Sequence, residues 1–319
     1  MPVDVGLLQR HARYEDLQAG ISEEFLTPAL GGGTTIAVLS RPLREPSPIG
    51  WVICHSLGME QIHLGRLDVI AARALSQAGF SVLRFHGGGY GDSNATLDAI
   101  GLSSHLADAT DAVRLMGKQE GIEQVGIIGA RFGGTVAALV ADRMDLPLMV
   151  LWEPIARGAA YMRDFLRSQV LSLIVGEGGE GGTSAVDRIR AELSSKGWSD
   201  IKGFRLSREA HEQISATDLV RDIKTFAGSS LLIGVSRTDR TNPALAKLAE
   251  HLRGIGGTCT LEVLQDPFAV QFGHFRYQTV NGGRGKRDVQ LELNEKIAAA
   301  TVAWSLELQT RQTTTEVRP

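Results

Sequence analysis

The sequence lacks the features that mark secreted, membrane-spanning and nucleic-acid-binding proteins. Its 319 residues contain two cysteines, Cys54 and Cys259, which lie far apart and lack the spacing of a zinc site. No apolar run approaches the length of a membrane span, and residues 1–5 lack the basic and apolar blocks of a signal peptide. The formal net charge of -3 gives no attraction for nucleic acid or an acidic membrane. We therefore expect a cytoplasmic protein with reduced thiols, no membrane span and no nucleic-acid partner.

Internal repeats, metal-ligand spacings and phosphate-cradling loops are also missing. The glycine-rich segment at residues 87–91 (GGGYG) lacks the spacing of a phosphate loop and is expected to form a turn. We therefore expect neither a metal nor a cofactor. Hydrophobic residues make up 43% of the chain and charged residues 22%, which is typical of a globular protein. A chain of this length can bury one large core, or one core with an inserted subdomain.

Residues 125–135 (VGIIGARFGGT) are the most informative part of the sequence. An apolar run leads into a glycine-rich corner and then into a helix-forming run, which is the context of a nucleophile elbow. Gly129 and Gly133 fill the positions that require small residues. The central residue should be Ser, Cys or Asp, but it is Arg131, whose guanidinium stays protonated and cannot attack a carbonyl. The same letters, taken alone, also fit an ordinary strand-to-helix turn.

The order of the remaining segments predicts an α/β fold with a mostly parallel sheet. Residues 23–29 and 34–40 predict an N-terminal hairpin, and buried strands then alternate with helices up to Pro154. Residues 155–225 depart from this alternation of strands and helices and predict a helical cap, which is inserted before the last two strands. We therefore assign residues 1–154 and 226–308 to the core, with a closing helix at 288–308, and 309–319 to a disordered tail.

Candidate site residues follow the carboxyl ends of the predicted strands, where the ligand crevice of an open α/β sheet lies. These are His55, Ser56, Leu57, His86, Arg131, Glu153, Asp239 and, after the last strand, His274. The order Arg131, Asp239, His274 matches the order nucleophile, acid, histidine of an α/β-hydrolase triad. We expect Asp239 to orient His274 as a general base. Asp239 also fits a turn residue before a helix, and His274 a loop histidine without a catalytic role.

The oxyanion hole is expected to combine the Phe132 N–H with the N–H of Ser56 or Leu57. Ser56 is not expected to be the nucleophile, because no glycine precedes His55 and the segment occupies the oxyanion-loop position. Glu60 should favour the start of its helix and is a further site candidate.

His55 and His86 both end buried strands, and no third ligand at diagnostic spacing accompanies them. They are interpreted as core histidines at the edge of the site. Arg131 has two interpretations: a salt-bridged residue of an inactive protein, or an anion clamp for a carboxylate, a phosphate or a developing enolate. The clamp is favoured because a bulky residue stands where backbone strain penalises it.

Several motifs between Trp51 and Leu219 carry a family resemblance. They are GME at 58–60, GYGDS at 89–93, the elbow, LWEP at 151–154, YMRDFLR at 161–167 and GFRLS at 203–207. This pattern resembles the α/β-hydrolases associated with bacterial exosortase systems, which are similar to serine-aminopeptidase-type hydrolases. The resemblance implies an α/β-hydrolase fold and, in one branch, Arg instead of Ser at the elbow. The chain differs from the group at His55-Ser56, at His86 and in the loop of His274, which favours another pathway such as small-molecule biosynthesis.

Three functions follow from these observations. The first is an enzyme without a Ser nucleophile that acts on an acyl or carbonyl small molecule, with His274 and Asp239 as general base and Arg131 beside the oxyanion amides. The second is a catalytically inactive relative that binds an acyl or anionic ligand, or a partner protein. The third is a serine esterase that uses Ser56 or Ser93. The sequence leaves a monomer and a homodimer equally open.

Overall fold

Nine strands form one mixed sheet in a computed structural model of the chain. The structure describes residues 12–96, 100–177, 182–201, 203–266, 272, 278–279, 286–287 and 289–316. His274 lies outside the described residues. The sheet strands are β1 Arg13–Asp16, β2 Ile21–Leu26, β5 Ala37–Pro42, β6 Ile49–Cys54, β7 Ser81–Phe85, β8 Gln124–Ala130, β9 Leu148–Trp152, β12 Ser229–Ser236 and β13 Thr258–Gln265. Three short two-stranded pairs join them: β3 Ala29–Leu30 with β4 Gly33–Thr34, β10 Trp198–Ile201 with β11 Phe204–Ser207, and β14 Gln278–Thr279 with β15 Lys286–Arg287.

The strand order is β1-β2-β5-β7-β6-β8-β9-β12-β13. The predicted hairpin is present as β2 and β5, which pair antiparallel with Leu26 opposite Ala37. β5 pairs antiparallel with β7, and every pair from β7 to β13 is parallel. The predicted mostly parallel sheet is therefore confirmed. Parallel pairing brings the carboxyl ends of β6, β7, β8, β9 and β12 to one edge, which is where the predicted site residues begin.

Nine helices occur in the described part of the chain. They are α1 Met59–Ala78, α2 Leu102–Gly117, α3 Phe132–Arg143, α4 Gly158–Glu177, α5 Gly182–Ser195, α6 Arg208–Ala216, α7 Leu219–Asp222, α8 Pro243–Gly254 and α9 Val289–Glu316. α2 and α3 bury their apolar residues on one face of the sheet, and α1 and α9 bury theirs on the other. α9 is tied to the middle of the sheet, since the Trp152 indole N–H donates to Thr301 Oγ1 at 3.0 Å. None of the described helices has the length and apolar character needed to cross a membrane.

The segment between β9 and β12 contains α4 to α7, in agreement with the predicted helical insertion, and also the hairpin β10–β11. We call residues 155–225 the cap. It lies against the carboxyl edge of the sheet, because the Phe204 ring of β11 is 5.7 Å from that of Tyr90, in the turn after β7. Tyr161 of α4 stacks on Phe132 at the start of α3, with ring centroids 6.2 Å apart.

Two predictions about the ends of the chain need correction. The first strand is predicted to begin at residue 23, but residues 13–16 form an additional strand, β1, at the edge of the sheet. Four residues are too few to show an alternating pattern in the sequence. The closing helix was expected to stop at Leu308, before a disordered tail, whereas α9 continues to Glu316. Gln309 and Thr310 are polar residues, which the prediction took as the end of the helix. An exposed helix end needs no apolar face, so polar residues can continue the helix.

Candidate functional site

The turn at residues 129–134, which we call the elbow, has a strained backbone at its centre. Arg131 connects β8 to α3 with φ 50° and ψ -121°. Residues with a side chain seldom adopt positive φ, and such conformations cost about 1–3 kcal/mol. Gly133 packs directly against the loop after β6, since a Cβ there would lie 2.5 Å from the Cys54 carbonyl oxygen. The sequence pattern therefore predicted both the strained position and the glycine that the close approach requires.

The Arg131 guanidinium is bound to a buried carboxylate. Its Nε lies 3.4 Å from Oε1 of Glu60, in the first turn of α1. The Arg131 side chain is 23% exposed and the Glu60 side chain 7%. Glu60 is the only ion-pair partner of Arg131 within the described residues. Because the pair carries no net charge, this arrangement agrees with the interpretation of Arg131 as a salt-bridged residue. The clamp interpretation then requires the N–H groups of Arg131 that lie outside the pair.

Glu60 collects two further donors, both on Oε2. The Ser56 hydroxyl donates to this oxygen at 2.8 Å, and the Tyr161 hydroxyl donates to it at 3.0 Å. Burial raises the pKa of Tyr161 well above its ordinary value, and the Glu60 carboxylate adds to the rise, so this hydroxyl keeps its proton. Glu60 thus joins the elbow, the loop after β6 and the cap in one hydrogen-bonded cluster, which we call the Glu60 cluster (Ser56, Glu60, Arg131, Tyr161).

The predicted oxyanion donors belong to two segments that pack against each other at the start of α3. Phe132 is the first residue of this helix, so its N–H has no partner within the helix. Residues 55–58, which we call the oxyanion loop, lie against the same helix start, because a Cβ at Gly133 would also lie 2.8 Å from the His55 carbonyl oxygen. Gly58 N–H is already bound to the Tyr90 hydroxyl at 3.0 Å. The amides of Ser56 and Leu57 stay as the predicted second donors.

Two buried histidines lie in the oxyanion loop and beside it. His55 Nδ1 is 3.0 Å from the Ser56 carbonyl oxygen, and His105 Nδ1 is 2.7 Å from that of Gly101. A carbonyl oxygen accepts hydrogen bonds and cannot donate them, so both Nδ1 atoms carry the hydrogen. Each Nε2 atom is without a hydrogen-bond partner among the described residues. The two rings lie 4.6 Å apart. Burial lowers the pKa of both, that of His105 to about 4, so both are neutral at pH 7.

The other predicted site residues have separate environments. His86 is half-buried, and its Nδ1 has no hydrogen-bond partner in the described part of the chain. The Glu153 carboxylate accepts the Val235 N–H of β12 at 2.7 Å, with its own backbone at φ 45°. Asp239 is exposed on the loop after β12. Since His274 is outside the described residues, the Asp239–His274 pair stays a prediction.

Cavities lie elsewhere on the described surface. One of about 660 Å³ lies beside α2 and Arg143, a second of about 660 Å³ at the start of α8, and a third of about 850 Å³ at the opposite end of the sheet near Trp304. None of the three is lined by Arg131 or Glu60. The described residues contain no group of three or more His, Cys, Asp or Glu side chains placed to hold a metal ion.

The sequence predicted Glu60 only as a further site candidate, and it gave no prediction for Tyr161 and His105. Glu60 follows Ser56 by four residues, and a carboxylate so close to the oxyanion loop was a usable signal. Tyr161 gave none, because the fold of the cap alone brings it to Glu60. His105 lies inside α2, where its ring looks like one of many helix residues.

Comparison with solved structures finds α/β-hydrolases. Est1E from Butyrivibrio proteoclasticus is 16% identical, with a TM-score of 0.58 over 90% of this chain and 99% of that one. Proline iminopeptidase from Mycobacterium smegmatis is 14% identical, with a TM-score of 0.54 over 91% and 100% of the two chains. An esterase from Pyrococcus furiosus is 12% identical, with a TM-score of 0.54 over 79% and 85%. No family model matches the sequence, and no curated protein is similar to it. At these identities the likeness establishes the architecture: the chain has the α/β-hydrolase fold.

Proposed function

We propose that this protein is an enzyme that acts on an acyl or carbonyl group of a small molecule, such as an ester or thioester, without a covalent intermediate at the elbow. The observation that carries the proposal is the elbow itself, which keeps the strained backbone of a nucleophile position around Arg131, with φ 50°. A strained position persists only where the surrounding structure enforces it, and such positions cluster at functional sites. Est1E, which shares the fold, has been solved with ferulic acid bound, and ferulic acid is a carboxylic acid.

The proposed reaction uses His274 as the general base, oriented by Asp239. His274 takes a proton from water, and the water oxygen attacks the acyl carbon. Negative charge then develops on the carbonyl oxygen, where the Phe132 amide, the Ser56 or Leu57 amide and the Arg131 guanidinium stabilise it. The bond to the alcohol or thiol breaks, and the leaving group takes the proton from His274. The products are a carboxylic acid and the free alcohol or thiol.

The His274→Ala variant tests this proposal. General-base help is worth about 10²–10⁴-fold in rate, so hydrolysis of short acyl esters should fall by that factor, with little change in thermal stability. Asp239→Asn should lower the rate in the same direction, because the imidazole loses its orienting carboxylate. Equal turnover by the wild type and His274→Ala would show that His274 is not the general base.

A second candidate is a catalytically inactive relative that binds an acyl or anionic ligand, or a partner protein. The observation that favours it is the pairing of Arg131 with buried Glu60, which is how a guanidinium without a catalytic role would be accommodated. This candidate predicts that neither the wild type nor His274→Ala hydrolyses any acyl ester above the buffer rate. The cap boundaries at 155 and 225, a cytoplasmic location, assembly as a homodimer and a relation to exosortase-associated hydrolases stay predictions.

A further inference from the structure

In the Glu60 cluster, the hydrogen-bond donors are divided unevenly between the two carboxylate oxygens of Glu60. Among the described residues, Glu60 Oε2 accepts two hydroxyl hydrogen bonds, whereas Oε1 receives only the Arg131 Nε–H. A guanidinium has five N–H donors. The four on Nη1 and Nη2 have no hydrogen-bond partner within the described residues. Arg131 is therefore held at one edge, and its other edge has no protein partner among the described residues.

Charge balance decides which ligand suits that edge. The carboxylate of Glu60 cancels the charge of Arg131 at a separation of 3.4 Å, and both side chains are largely shielded from water. A permanent anion placed on the Nη edge would be attracted by Arg131 and repelled by Glu60 at short range. An uncharged carbonyl oxygen at the same place is neither attracted by the charge of Arg131 nor repelled by that of Glu60. It can still accept hydrogen bonds from the N–H groups of Arg131. Charge that develops on this oxygen during the reaction then gains from donors already fixed in place.

The structure also fixes the position of the guanidinium. Tyr161 holds Glu60 from the cap, and its ring lies 6.0 Å from the Arg131 Cζ atom. Ser56 holds the same carboxylate from the oxyanion loop. These contacts hold the guanidinium against the Glu60 carboxylate and close to the Tyr161 ring.

From this geometry we infer that Glu60 is a positioning and charge-balancing residue, which makes Arg131 a donor for an uncharged acyl group and not a binding site for a carboxylate or phosphate. The substrate class is therefore an ester or thioester whose acyl chain carries no charge near the carbonyl. This inference rests on the proposed function, because it assigns the acyl group to the elbow.

The test compares two esters of similar size, para-nitrophenyl butyrate and mono-para-nitrophenyl succinate, whose acyl chains end in a methyl and a carboxylate. The wild type should hydrolyse the butyrate ester with the higher kcat/KM. In Glu60→Gln, Arg131 keeps its charge without compensation, so the ratio of succinate to butyrate kcat/KM should rise by about tenfold or more.

Tyr161→Phe is the matched control, because it removes one hydrogen bond from Glu60 and leaves both charges in place. It should lower both rates by similar factors and leave the ratio unchanged. A purely structural role of Glu60 would give the same unchanged ratio in Glu60→Gln, and that result would overturn the inference. A wild type that prefers the succinate ester would overturn it as well.

A binding experiment distinguishes a failure of this inference from a failure of the proposed function. If the wild type hydrolyses neither ester, the proposed function fails, and the ligand class is then read from NMR titrations with butyramide and butyrate. Tighter binding of butyramide by the wild type, with a shift toward butyrate in Glu60→Gln, supports the inference. Tighter binding of butyrate by the wild type, or binding of neither compound, contradicts it.

Discussion

At the scale of single residues, the site combines a strained cation with neutral buried rings. Arg131 combines a positive φ with a guanidinium that is paired with the buried Glu60 carboxylate. His55, in the oxyanion loop, and His105, beside it, are held neutral by burial. The Nε2 atoms of both rings are buried and lack a partner among the described residues, and this burial opposes a positive charge on either ring.

This burial predicts a loss of stability in mild acid. The pKa of His105 falls from 6.5 in the unfolded chain to about 4 in the folded protein, so the unfolded chain binds more protons in this range. The free energy of unfolding should therefore fall as the pH decreases from 6.5 to 4, by about 3 kcal/mol for His105. Urea unfolding of the wild type and of His105→Gln measures it. The stability difference between them should shrink on acidification, whereas parallel pH profiles would show that His105 titrates normally.

At the scale of elements, the turn between β8 and α3 depends on how closely the helix start approaches the oxyanion loop. Gly133 has no space for a side chain because the Cys54 carbonyl is in the way, and Gly134 is similarly close to the Gly129 carbonyl. Gly65, inside α1, is the opposite case: nothing lies within 4 Å of a Cβ added there. Gly133 and Gly65 therefore differ in their surroundings, although both lie within helices.

Alanine at these two positions should have opposite effects on stability. Gly133→Ala should lower the free energy of unfolding by roughly 1–3 kcal/mol, because the added methyl group forces the elbow away from the oxyanion loop. Gly65→Ala should raise it by about 0.5–1 kcal/mol, because alanine is the better helix former. Urea unfolding of both variants measures these changes. If Gly133→Ala were tolerated as well as Gly65→Ala, the close approach would not be a constraint on the fold.

At the scale of the whole molecule, the sequence predicted the parts that depend on local pattern. Buried apolar runs predicted the parallel strands, and the spacing of glycines around Arg131 predicted the elbow. β1 was missed because it has only four residues. The Tyr161–Glu60 contact was missed because the two residues are far apart in the chain and meet only when the cap folds over the sheet. Predicting such contacts requires the tertiary arrangement itself, and local sequence patterns do not contain it.

Because the proposed machinery comes from three distant segments, labelling with a fluorophosphonate probe tests it most directly. The wild type should not react, since its elbow has no hydroxyl and Ser56 is buried against Glu60. Arg131→Ser should react at the introduced hydroxyl, with loss of fluoride, because the elbow and the proposed base would then form an ordinary serine site. The Arg131→Ser, His274→Ala double variant should not react. Labelling of the wild type at Ser56 or Ser93, or an unreactive Arg131→Ser that folds normally, would contradict the proposal that this elbow is an acyl site whose nucleophile has been replaced by a cation.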